Sequence, residues 1–138
     1  MNWVCWWVML AATLSLGVGS SAAGMPQIVS ATLLSNAIQL DMHDVKAGEV
    51  TLNVHNAGGD ANAHELVVLR TDRPDGSLPV VKGQVPERKF MKIGEVEDVA
   101  PGKSKRFTIK LAPGHYVLIC NKAGHYAAGM HTSLTVAP

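Results

Sequence analysis

The stretch "RFTIKL", Arg106 to Leu111, alternates without exception: Phe107, Ile109 and Leu111 are apolar, while Arg106, Thr108 and Lys110 are polar. Only extended chain sorts such residues onto two faces, because successive strand side chains point to opposite sides of a sheet. The same period of two recurs in "AIQLDM", through Ile38, Leu40 and Met42, and in "EVTLNV", through Val50, Leu52 and Val54. "HELVVLRT", "HYVLIC" and "SLTV" are further β-rich runs. Turn-forming residues separate them at Lys46-Ala47-Gly48, "NAGGDANA", "DRPDGSLP", "APGKS" and "APG". Val80 to Glu97 is charged and interrupted by Pro86, which predicts a loop with one short strand. No segment sustains a helical period. Short strands broken by turns at intervals of roughly eight to twelve residues predict an all-β antiparallel sandwich or barrel. A chain of 138 residues supplies one such domain.

The opening segment is different in kind. From Asn2 to Met25 there is no charged side chain, and an apolar block gives way to small residues. Ser21-Ala22-Ala23 fits the small-x-small pattern of a signal-peptide cleavage site, which predicts a signal peptide over 1–23 and a mature domain over 24–138. The competing reading is an uncleaved membrane anchor, since the segment carries no Lys or Arg and the apolar stretch is nearly long enough to span a bilayer. Cleavage predicts an exported protein, periplasmic or extracellular. It removes Cys5 and all three Trp residues, and leaves one cysteine with all six histidines. A single Cys in an oxidising compartment has no internal disulfide partner and needs another use. The net charge of +1, with no basic run, gives no footing for nucleic acid or an anionic membrane surface.

That cysteine opens "CNKAGHYAAGMH", Cys120 to His131. Alternation in "HYVLIC" puts Tyr116, Leu118 and Cys120 on one face and His115, Val117 and Ile119 on the other. Tyr116 and Leu118 make the better core pair, so Cys120 is expected to point inward at the strand end. Gly124, Ala127, Ala128 and Gly129 let the following loop fold tightly, returning His125 and Met130 towards the Cys120 sulfur. Thiolate, imidazole and thioether together suit copper better than magnesium or calcium. A blue-copper plane needs a second imidazole. His64, at the start of a strand and just after a Gly/Asn loop, is the best placed. His43 and His55 lie among polar residues, His115 faces away, and His131 points opposite to Met130; these four are expected to be exposed or capping. Zinc is the alternative ion at one Cys and two His, but a thioether is a poor zinc ligand.

"AHELVVLRT", followed by "APGHYVLICNKAGHYAAGMHTSLTV", resembles the cupredoxins, small blue-copper proteins, and in particular exported domains whose last strands read G-x-Y-x-x-x-C-x4-H-x4-M. "VKAGEVTLNVHNAG" and "EDVAPGKSKRFTIKL" are similar to the strands that precede the site, so the resemblance covers nearly all of the mature chain. It implies a Greek-key antiparallel β-sandwich holding one copper ion that cycles between Cu(I) and Cu(II). His64, Cys120 and His125 would form the equatorial plane and Met130 the axial contact. The implied function is one-electron transfer, with a transient redox partner docking on a small apolar patch near His125. The implied alternative is a periplasmic copper-handling protein (chaperone, buffer or resistance factor) using the same ligands. An enzyme is not expected, because copper oxidases and reductases need further copper sites. One position departs from the pattern: many cupredoxins carry Asn after the first His, where this chain has Glu65. Asn121 is a candidate to supply part of the tie that such an Asn provides.

Overall fold

In the computed structural model residues 24–138 are described; the expected signal peptide, 1–23, lies outside them. Nine strands follow in order: β1 Gln27–Leu34, β2 Ala37–Leu40, β3 Asp44–Lys46, β4 Gly48–Asn56, β5 His64–Arg70, β6 Met91–Val99, β7 Ser104–Leu111, β8 Gly114–Ile119 and β9 His131–Ala137. Two single 3-10 turns, Asp75–Ser77 and Glu87–Lys89, lie in the connection between β5 and β6. The strands form a sheet ordered β2-β1-β4-β7 and a second ordered β3-β9-β8-β5-β6.

Alternation decides which residues meet between the sheets. Val29, Ala31 and Leu33 of β1 and Val50, Leu52 and Val54 of β4 pack with Leu66 and Val68 of β5, Tyr116 and Leu118 of β8, and Leu134 and Val136 of β9. This shared core makes the two sheets a sandwich, as expected. Each such Val or Leu removed from water contributes about 1.5–3 kcal/mol. The sheets are mixed, however, and not purely antiparallel: β1 runs parallel to β4, and β3 parallel to β9. A period of two is the same for either partner direction, so the sequence pattern carries no sign of this.

Three further differences from the sequence reading have local causes. Val80 to Glu97 was expected to hold one short strand, yet β6 is nine residues long. Its pairing with β5 slips twice, between His64 and Leu66 and between Val68 and Leu69, each time with an extra residue on β6, so no steady alternation marks it. Residues of "AIQLDM" behave as expected at Ile38, which is buried, but Met42 is exposed beyond the end of β2. Finally, β1 and the short β3 were not anticipated.

The outer face of β5 and β8 is also covered. Val67, Leu69, Val117 and Ile119 pack under Leu78, Val85 and Tyr126, with Phe90 alongside, as a second, smaller core. The long β5–β6 connection is therefore fixed to the sheet, and it ends up beside the segment that follows β8. Among the described residues, no helix is long and apolar enough to cross a membrane.

Candidate metal centre

β5 and β8 are antiparallel neighbours, with Val67 opposite Ile119. The first residue of β5 and the residue following β8 therefore lie at the same end of the sandwich. His64 shares the inward face with Leu66 and Val68, and Cys120 shares it with Tyr116 and Leu118, as alternation predicts. A bulge in the β5–β6 pairing falls between His64 and Leu66.

The loop after Cys120 closes on itself through main-chain bonds. The His125 N–H donates to the Lys122 carbonyl, Ala128 to Gly124, Gly129 to Tyr126, and Met130 to the His125 carbonyl. The Cys120 N–H then donates to the Met130 carbonyl at 3.1 Å, which shuts the loop at its base. The tight fold expected from Gly124, Ala127, Ala128 and Gly129 is present.

Its result is a convergence of three donors. His64 Nδ1 and His125 Nδ1 lie 3.2 Å apart; the Cys120 Sγ lies 3.4 Å from the second and 3.9 Å from the first. A metal with bonds of about 2.0 Å to nitrogen and 2.3 Å to sulfur holds three trigonal donors roughly 3.5–3.7 Å apart. The residues present fit such an ion with little rearrangement, and His64, Cys120 and His125 are placed to hold one. Cys120 is 0% exposed and His64 1%, while His125 is half-buried. Met130 is wholly buried in the central core together with Cys120.

Charge around the cluster is arranged unevenly. Burial pushes the Cys120 thiol above its ordinary value, partly offset by backbone N–H groups of Glu65 and Lys122. Burial, and His64 beside it, hold His125 below the ordinary imidazole value, which favours the neutral ring a metal requires. The outward nitrogen of His64, Nε2, lies 3.4 Å from the Asp60 carboxylate.

Glu65 turns out to be a tie between the ligand segments. Its N–H points to the Cys120 sulfur at 3.5 Å, and its carboxylate accepts the Asn121 N–H at 3.1 Å. The side chain of Asn121, a candidate for that tie, goes elsewhere. Its Oδ1 accepts the Val85 N–H at 2.7 Å, and its Nδ2 donates to the Val85 carbonyl at 2.9 Å and to Glu87 at 2.8 Å. Tyr126 repeats this at the other end of the loop, accepting the Leu78 N–H at 2.9 Å and donating to the Asp75 carbonyl at 2.6 Å.

The remaining histidines stand outside the cluster. His43 and His55 are exposed, as expected. His115 and His131 are partly buried instead; His115 Nδ1 lies 2.6 Å from the Thr71 carbonyl and His131 Nδ1 2.8 Å from the Asp75 carboxylate. Asp60, Asp75 and Tyr126 were not singled out from the sequence. Asp60 and Asp75 sit in runs that read simply as turns, and nothing local reveals which distant group they face.

No family model and no curated protein matches the chain. Solved structures do. A dithionite-reduced auracyanin from Roseiflexus castenholzii superimposes with a TM-score of 0.59 at 23% identity, covering 83% of this chain and 100% of that one. The fold is that of the cupredoxins. Two other cupredoxins align similarly. Rusticyanin from Thiobacillus ferrooxidans gives a TM-score of 0.59 at 19% identity, covering 83% of this chain and 79% of its own. Auracyanin A from Chloroflexus aurantiacus, described as a "blue" copper protein, gives 0.58 at 21% identity, covering 81% and 99%.

Proposed function

We propose that the protein is an exported mononuclear blue copper protein that carries single electrons between redox partners. The observation that carries this reading is the convergence of one buried thiol and two imidazole Nδ1 atoms within 3.9 Å of one another on a cupredoxin fold. In this reading His64, Cys120 and His125 would hold the ion, and Met130, a buried thioether at the end of the same loop, would be a fourth, weaker donor. Two imidazoles and a thiolate with a weak thioether suit copper, and a bound copper ion supplies a one-electron couple. The likeness to auracyanin A, itself a blue copper protein, supports the same choice of metal.

The chain's own groups have separable tasks. Cys120 gives up its proton to become a thiolate, and the Glu65 N–H directed at its sulfur offsets part of the added charge. The closed loop holds His125 and Cys120 in place before any ion arrives, so little motion accompanies a change of charge. His125 is the least buried of the three donors, with exposed Ala123, Gly124, Ala127 and Ala128 around it. That small apolar surface is where a transient partner docks, and encounters of this class are small and short-lived.

Titrating the protein with Cu(II), beside Cys120→Ser, tests the reading. An intense thiolate-to-copper absorption band at one equivalent, missing in the variant, is the expected result. Tight Cu(I) binding with no such band would replace electron transfer with copper handling, as a chaperone, buffer or resistance factor.

A further inference from the structure

Two carboxylates approach the donor cluster from separate directions, and neither is one of the donors. Asp60 Oδ1 lies 3.4 Å from His64 Nε2, the nitrogen turned away from Cys120 and His125. Asp60 is held there by its own loop, its Oδ1 accepting the Asn62 N–H at 3.1 Å. Glu65 lies on the other flank, half-buried, with its carboxylate fixed by the Asn121 N–H at 3.1 Å and its own N–H on the Cys120 sulfur. The nearby cation is Lys122, whose ammonium pairs with Asp98 at 3.1 Å and is thereby partly neutralised. The fixed charge around the cluster is therefore anionic on balance.

The consequence is electrostatic. A thiolate with two neutral imidazoles carries one negative charge, so a bound copper site is neutral as Cu(I) and singly positive as Cu(II). An anion held within a few ångströms, in surroundings less polar than water, stabilises the positive state more than the neutral one.

We propose that Asp60 and Glu65 are positioning residues that bias the centre towards its more highly charged oxidation state, so that the protein is a weaker oxidant than the same site without them. Asp60 acts through the His64 ring, in the manner of a carboxylate behind a ligating imidazole. Glu65 acts through space on the Cys120 sulfur and also joins β5 to the ligand loop. The proposal rests on the copper-binding reading above.

The test is a potentiometric titration of the copper-loaded full chain at pH 8, above the ordinary carboxylate range. Asp60→Asn and Glu65→Gln keep size and an acceptor oxygen but remove the charge. Each should favour Cu(I) roughly tenfold at a given potential, a rise of about 59 mV in the one-electron midpoint. The double variant should show close to the sum. A merely structural role predicts instead that Glu65→Ala shifts the midpoint while Glu65→Gln leaves it in place; that pattern, or unchanged midpoints in all single variants, overturns the proposal. If the wild-type protein shows no thiolate band, electron transfer fails as the function, but the charge argument still has a measurement. The ratio of Cu(II) to Cu(I) affinity should then fall about tenfold for each carboxylate neutralised, and equal ratios would overturn it.

Discussion

Gly129 shows how much one residue decides here. Its φ is +115°, in the region that side chains disfavour, and a Cβ at this position would collide with the main-chain carbonyl oxygen of Asn36 in the turn between β1 and β2. Both conditions act one residue before Met130, so Gly129 sets how the loop re-enters the core. Gly129→Ala should destabilise the metal-free protein by about 2–3 kcal/mol through strain and overpacking, read as a lower urea midpoint. A midpoint within error of wild type would mean that the turn at Asn36 simply moves aside. The sequence showed that this stretch must be small, because "AAG" permits little else. It could not show that Asn36 is what demands it. Glu65 is the reverse case: its departure from the family pattern was visible from the sequence, but its pairing with the Asn121 N–H depends on where β5 and β8 end.

The ligand loop is held from two sides. Inside, its own main-chain bonds close it; outside, the β5–β6 connection grips it through Asn121 and Tyr126. Asn121→Ala should leave the Val85 N–H buried without an acceptor, at a cost of about 1–3 kcal/mol. We expect the copper complex of this variant to form but with a broadened or displaced thiolate band, since Cys120 loses its neighbour's anchor. A band identical to wild type would show that the inner bonds suffice. At this scale the sequence was readable wherever one face of a strand meets the core and the other is wet, as in β4 and at Phe107, Ile109 and Leu111 of β7. It was unreadable at β6, where two bulges break the alternation, and at β3, three residues whose pairing partner β9 lies at the far end of the chain. In β1 the alternation was present at Val29, Ala31 and Leu33, but its small residues merge into the small-residue tail of the opening segment. The direction of the β1–β4 pairing belongs to the assembled sheet and to no single strand.

On the scale of the whole molecule, one end of the sandwich carries the donors and the rest supports them. The proposed docking surface is the exposed rim of Ala123, Gly124, Ala127 and Ala128 around His125, widened by the neighbouring turn whose Gly83 carbonyl accepts the Gly124 N–H at 2.9 Å. Ala127→Glu should slow electron exchange with a partner about tenfold or more while the absorption band stays unchanged, because burying an unpaired charge at the contact weakens the encounter. Equal rates in stopped-flow mixing would remove this face from the route. Burial also sets the order in which things can happen at this end of the molecule. His64, Cys120 and Met130 are sealed at 1%, 0% and 0% exposure, and the half-buried His125 is the open side of the cluster. In the proposed function, an ion entering or leaving would pass the same imidazole that the proposed redox partner covers. On that proposal loading and traffic would compete for one doorway: a docked partner would act as a stopper, and the protein would keep its cargo best while at work.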